Sequence, residues 1–176
     1  MKTINTNKDL TSRFSPKIFL DKEIEQADFL EIMEAARWAP SAFNEQPWRF
    51  IYARKGSAQF EDFVAALMPG NQDWAKDANI LMFLVSSTTF KRNDKQNRHA
   101  WYDAGQAAAN LSQAAWDRGI GVHQMAGFHP DKAREVTGTP EQFDIVAAIA
   151  MGYFDENEKE RSRMDLSEIL FENQFS

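Results

Sequence analysis

The sequence predicts an α+β domain in which about four helices are interleaved with four strands. Residues 79–85 and 145–151 are apolar runs of strand length, the signature of central strands covered on both faces. Residues 55–68 place Phe60, Phe63, Val64 and Leu67 at i, i+3, i+4 and i+7, which is one face of a helix. A 21-residue helical stretch, 98–118, lies between the two apolar runs and ends at Gly119, a residue suited to a left-handed C-cap.

Taken in order, residues 1–12 are polar and read as a short arm or the start of a first helix. Residues 21–38 read as the first long helix, with Phe29, Leu30, Met33, Ala36 and Arg37 sharing a face. Residues 49–52 are extended. The helix over 55–68 is expected to end at Pro69-Gly70. Residues 88–97 form a polar, charged loop without Gly or Pro, too short for a large lid. In the 98–118 helix, Gly105, Ala107, Ala108, Ala109, Ala114 and Ala115 keep one face small enough for close approach of another helix or a subunit. Residues 119–128 read as a short strand, 130–138 as a short helix opened by proline, and Gly152-Tyr153 closes the last strand. Beyond it, residues 155–160 are an acidic spacer, followed by Arg161, Arg163 and a short apolar tail of Leu166, Ile169 and Leu170.

The totals narrow the function classes. At 176 residues, the chain reads as one domain, 1–176, burying roughly two thirds of its unfolded surface. A net charge of -6 and a pI near 5.1 leave no basic excess for nucleic acid. Without cysteine there is no disulfide, thiolate nucleophile or Cys-ligated zinc. His123 and His129 lack metal-ligand spacing and read as structural or surface residues. No apolar run is long enough to span a bilayer and no signal peptide opens the chain, so no membrane partner and a cytoplasmic location are expected.

Three stretches could hold a ligand. Arg13, Ser15 and Lys17 alternate, which in an extended segment puts two cations and a hydroxyl on one side, enough to grip a phosphate. In Ala39-Pro40-Ser41-Ala42-Phe43-Asn44-Glu45-Gln46-Pro47-Trp48, two prolines seven residues apart prevent a helix and hold the backbone turned or extended. Gly119-Ile120-Gly121 begins like a dinucleotide fingerprint, but Gln124 stands at its third glycine position and a helix precedes it where a strand is required. Ala126-Gly127 instead suits close backbone approach to a flat ligand.

Residues 35–48 resemble the nitroreductase family of FMN-dependent oxidoreductases, whose segment reads A-R-W-A-P-S-x-x-N-x-Q-P-W; every fixed position is present. The resemblance extends over about residues 13–170, through R-x-S-x-K-x-F at Arg13, an Asn at 71, the G-Y closing the last strand, and R-x-R at Arg161. It implies a nitroreductase-like three-layer α/β/α fold around a mixed sheet, an intertwined homodimer with one FMN per interface, and a C-terminal extension, 155–176, packing on the partner subunit. It implies that Arg13, Phe14, Ser15, Lys17, Pro40, Ser41, Asn44, Asn71, Met125, Ala126, Gly127, Arg161 and Arg163 bind the cofactor. Among these, Arg13, Arg161 and Arg163 would hold the phosphate, Lys17 the ring, and residues 125–127 the edge near N5. Residues 40–48 would come from one subunit and the cations from the other.

The activity implied is reduction of nitroaromatics, quinones or related small acceptors by NADH or NADPH in a ping-pong cycle, with no catalytic side chain and no metal. The alternatives are a non-catalytic FMN-binding protein on the same fold and a cofactor-free interaction protein. The family position three beyond Asn71 is often Lys and is Trp74 here, which replaces a charge with an aromatic wall.

Overall fold

The computed structural model describes residues 8–155 and 161–175. Four strands, β1 (Trp48–Arg54), β2 (Ile80–Ser87), β3 (Ile120–Met125) and β4 (Phe143–Tyr153), form one sheet in the order β1-β2-β4-β3. The helices are α1 (Lys8–Ser12), α2 (Gln26–Arg37), α3 (Ala58–Ala66), α4 (Pro69–Ala75), α5 (Ala100–Trp116) and α6 (Pro130–Thr137).

Successive side chains of β2 point to opposite faces, and both faces are covered. Ile80, Met82 and Leu84 join a core with Phe29, Ile32 and Ala36 of α2 and Ala104, Ala108 and Leu111 of α5. Leu81, Phe83 and Val85 join a second core with Phe60 and Phe63 of α3, Ala75 of α4 and Ala133 of α6. The result is the expected α/β/α layering. The pairing is antiparallel throughout the described strands, where the resemblance implies a mixed sheet. The connections explain this. The excursion through α3 and α4 leaves β1 at Arg54 and re-enters β2 at Ile80, its direct partner, so the chain returns from the end it left. The connection through α6 does the same between β3 and β4.

Three boundaries differ from the sequence reading. The first long helix starts at Gln26, not residue 21. Phe19 bridges to Phe154, the Leu20 N–H donates to the Tyr153 carbonyl (2.8 Å), and the Ile24 N–H donates to Asn79 Oδ1 (2.9 Å). Residues 19–24 are thus committed to the sheet, and Asn79 serves them rather than starting β2. Pro69 opens α4 instead of ending α3, because a proline in the first turn of a helix forfeits no intrahelical hydrogen bond. α3 already stops at Ala66, having begun at Ser57, whose Oγ accepts the Phe60 N–H. The third difference is α5, which runs only from Ala100 to Trp116.

The small face of α5 is used mostly inside the chain. Ala104, Ala107, Ala108 and Ala115 are at most 1% exposed, packed against α2 and the sheet. Gly105 and Ala109 face outward.

α5 also anchors residues 40–47. Asp103 in its first turn is 2% exposed, and its Oδ2 accepts the Ala42 N–H at 3.0 Å. Within the loop, the Gln46 N–H donates to Ser41 Oγ (3.0 Å). Phe43, Asn44 and Gln46 have φ of 55°, 57° and 47°, a left-handed conformation that side-chain-bearing residues adopt only when neighbouring contacts hold them. Asp103→Ala is expected to destabilise the protein by about 1.5–3 kcal/mol, the worth of a hydrogen bond to a charged acceptor. The fall should be read from the urea midpoint. Asp103→Asn, which keeps an acceptor oxygen, should recover most of the loss.

Candidate functional site

The segment 13–17 lies over β3 because Gly121 has no side chain. A Cβ there would run into the Pro16 ring and come within 2.9 Å of Phe154 Cδ1. Phe14 also pins the segment, its ring edge-on to Trp116 (5.3 Å) and Phe154 (5.4 Å). Trp116 Nε1 donates to Ser12 Oγ (3.0 Å), which ties α1 to the end of α5.

Held this way, Arg13 meets the far end of the chain. Arg161 donates to the carbonyls of Arg13 and Thr11. Burial, then the Arg161 and Arg163 guanidiniums, push the Arg13 pKa below its ordinary value. A guanidinium stays charged at neutral pH, so three like charges converge here. Beside Arg13 is a cavity of about 250 Å³ lined also by Leu10, Ala109, Ser112, Gln113 and Gln124. Gln124 Nε2 donates to Ser112 Oγ (3.1 Å).

Further along the segment, the Lys17 ammonium lies 5.5 Å from the Trp74 ring centroid. His123 packs against the same indole (4.5 Å), and its Nδ1 lies 3.0 Å from the Pro16 carbonyl oxygen. Trp74 Nε1 is buried and has no hydrogen-bond partner among the described residues. Asn71 Nδ2 donates to the Gly127 carbonyl at 2.9 Å, and a Cβ on residue 127 would come within 2.5 Å of that nitrogen. The Asn71 amide therefore rests on the Ala126-Gly127 backbone only because residue 127 is glycine.

The structure thus groups Arg13 with Arg161 and Arg163, Lys17 with Trp74, and Asn71 with Gly127. Ser15 and Ala126 are exposed near the first and last of these groups. Phe14 and Met125, at 8% and 5% exposure, turn their side chains into the core, which leaves only their backbone available to a ligand. Pro40, Ser41 and Asn44 stand apart: their loop is tied to Asp103 at the start of α5, whereas the Arg13 cavity lies against Ala109, Ser112 and Gln113 farther along it. Just before that loop, Arg37 and Trp38 both turn onto Glu34, and these side-chain hydrogen bonds hold its carboxyl down to about 2.

Sequence reasoning missed two contributors. Asp103 carries a visible signal, a lone acid on the apolar face shared by Ala104, Ala107 and Leu111. His123, read as structural or surface, lies within the Lys17 and Trp74 group; nothing in its local sequence points there.

An array of cations along one edge, an aromatic wall and a glycine-permitted amide suit an elongated, planar ligand with a phosphate at one end. Residues 10–153 match the sequence profile described as the Nitroreductase family. A protein of Archaeoglobus fulgidus, provisionally named an NADH dehydrogenase/NAD(P)H nitroreductase, is 29% identical over 155 residues, covering 83% of each chain. A solved oxidoreductase containing FMN aligns with a TM-score of 0.92 at 33% identity, over 100% of this chain and 96% of that one. A Desulfovibrio desulfuricans protein solved in complex with FMN aligns with a TM-score of 0.79 at 25% identity, over 96% of both chains. With its layered antiparallel sheet and a profile match over most of its length, the chain belongs to the nitroreductase family.

Proposed function

We propose that the protein is an FMN-dependent oxidoreductase that accepts hydride from NADH or NADPH and reduces small electrophilic acceptors, with nitroaromatics and quinones as the acceptor classes. The observation that carries this reading is that Arg161 turns back onto the Arg13 and Thr11 carbonyls, which gathers cations beside the cavity at Arg13. In a chain of net charge -6, like charges gathered in one place call for an anion between them. Similar proteins that contain FMN supply the identity of that anion as a flavin phosphate.

Bound FMN supplies the redox chemistry, and the protein supplies binding, orientation and charge. Arg13, Ser15, Arg161 and Arg163 hold the phosphate. Lys17 sets a positive charge toward the pyrimidine end of the ring, worth more in a partly dry pocket than in water. Asn71, with the backbone of Met125, Ala126 and Gly127, borders the ring. Ser41 already accepts from Gln46 through its oxygen, so its hydroxyl hydrogen is what it offers a ligand. Trp74 and His123 wall the site. No side chain is asked to act as general acid, base or nucleophile, so donor and acceptor take turns in one slot.

The proposed unit is a homodimer in which residues 40–47 of one subunit complete the site of the other. Two features support it: the cations and the loop are anchored to different parts of α5, and Leu166, Ile169 and Leu170 are exposed on their own subunit. The extension 155–176 belongs on the partner in this reading; residues 156–160 of the acidic spacer lie outside the described residues. Among the described residues no helix is long and apolar enough to cross a membrane. The cytoplasm is the proposed compartment.

The purified protein should be yellow, release FMN on denaturation, and oxidise NADH or NADPH steadily when an acceptor is added. Initial-rate plots at several fixed acceptor concentrations should be parallel; intersecting lines would refute the shared slot. Flavin without turnover would favour the non-catalytic alternative. The double change Arg161→Ala, Arg163→Ala should weaken FMN by roughly 10- to 100-fold per lost charge-assisted bond. Turnover should return with excess FMN, and a variant that keeps its flavin as tightly as wild type would remove these arginines from the site. Sedimentation at micromolar concentration should give a dimer, and a flavin-loaded monomer would sink the two-subunit site.

A further inference from the structure

We propose that residues 88–98, packed on Phe43, form the docking site for the phosphate-bearing adenosine end of the nicotinamide donor, and that this site favours the 2′-phosphorylated donor, NADPH. The inference rests on the FMN-dependent reading above and assigns the donor subsite that the reading leaves open.

Charge is the first argument. Lys91, Arg92, Lys95 and Arg98 fall within eight residues, with Asp94 the single acid among them, in a chain of net charge -6. All four cations are exposed, and among the described residues none forms an ion pair. The nearby Glu45 carboxylate accepts the backbone N–H of Lys91 (2.7 Å). Elsewhere on the surface, Arg37, Arg54, Lys55 and Arg118 each face an acid. With four exposed cations and one acid within eight residues, the 88–98 segment carries a local positive field for a polyanion.

Shape is the second argument. The segment is a built turn. Thr89 bridges to Gln96, the Phe90 N–H donates to the Lys95 carbonyl (2.8 Å), and the Asn97 N–H donates to the Thr88 carbonyl (2.8 Å). Its tip carries an aromatic platform. The Phe43 ring is 73% exposed and meets Phe90 edge-on at 5.9 Å, while the Arg92 guanidinium lies 4.0 Å from the Phe43 centroid and 5.3 Å from that of Phe90. An exposed ring beside a planar cation is a surface on which a purine stacks.

Position is the third. Phe43 lies between Ser41 and Asn44, inside the loop proposed to border FMN, so a dinucleotide stacked there has its other end free to reach the flavin. NADPH carries one more phosphate than NADH, so the unpaired cations attract it more strongly, and salt screens the difference.

The test uses flavin-loaded wild type beside two variants, Arg92→Ala and Lys91→Gln/Lys95→Gln, which leave the proposed FMN contacts untouched. Flavin bleaching by NADPH and by NADH is followed by stopped flow at low and high salt. Titration calorimetry with 2′,5′-ADP, which has the adenosine phosphates but no nicotinamide, reads the subsite without flavin chemistry. Expected are tighter binding of NADPH than of NADH by roughly tenfold at low salt, narrowing at high salt. Each variant should raise the NADPH KM and weaken 2′,5′-ADP by roughly tenfold, with kcat, acceptor KM and FMN content unchanged. Variants that keep wild-type affinity for 2′,5′-ADP and for both donors overturn the inference while leaving the oxidoreductase reading intact. Wild type that binds 2′,5′-ADP through these cations, yet whose flavin neither dinucleotide bleaches, overturns the oxidoreductase reading while the subsite stands.

Discussion

The burial of β2 and β4 on both faces is the constraint from which the rest of the molecule follows. Phe83, at 1% exposure, and Ile149, at 0%, contribute about 1.5–3 kcal/mol each when removed from water, but only if helices cover both sides of the sheet. One covering layer would leave half of each strand exposed. The chain meets the requirement with α2 and α5 on one face and α3, α4 and α6 on the other. It also keeps the strands central, with β1 and β3 taking the edges. Between Leu84 and Val85 the register slips, so Val146 becomes an extra residue opposite β2 and packs on the α2 and α5 side, while Ile145 packs on the other. The bulge lets an apolar run be shared between two cores without leaving a large side chain in solvent.

Because the sheet is closed on both faces, the proposed ligand site lies at its margins. The segment 13–17 crosses β3 at Gly121, and Asn71 rests on Gly127 just beyond the end of that strand. Both contacts depend on a missing Cβ, which lets the Pro16 ring and the Asn71 amide rest directly on glycine backbone. α5 links this margin to the loop 40–47. Its first turn supplies Asp103 to Ala42, while its later turns line the Arg13 cavity and receive Ser12 through Trp116.

Electrostatics then distinguishes the margins from the remainder of an acidic surface. Four of the described cations sit by acids, as Arg118 does with Glu31 and Lys55 with Asp21. Such exposed pairs contribute little to stability. The Arg13, Arg161 and Arg163 group is different in kind: burial and mutual repulsion both work against it, and the fold nonetheless brings residue 161 back to residue 13. The proposed function assigns the relief of that cost to a bound phosphate.

The sequence by itself determined the α+β class, the two central strands, the core face of α3 and the glycines that follow α5 and α6, because hydrophobic period and φ-permissive residues act locally; on α2 it grouped Leu30 with Phe29 and Ala36, whereas Leu30 is exposed and Ile32 is buried. Gly138, at φ of 63°, is the left-handed cap of α6, and Gly119, at φ of 69°, closes the turn between the α5 cap at Asp117 and β3. The motif residues were recognisable for another reason: their types and order match a family pattern, although no spacing could say which of them meet. Only the tertiary structure decided that Arg161 reaches the Arg13 carbonyl, that Phe14 and Met125 turn inward, and that Pro69 starts a helix. It also decided that residues 19–24 pair with the sheet instead of extending α2, and that the alanines of α5 are taken up by α2. Each of these depends on which group a distant segment presents, such as the Tyr153 carbonyl to Leu20 or the Asn79 side chain to Ile24. A local pattern contains no term for a partner fifty or more residues away, and that is where sequence ceases to determine the site.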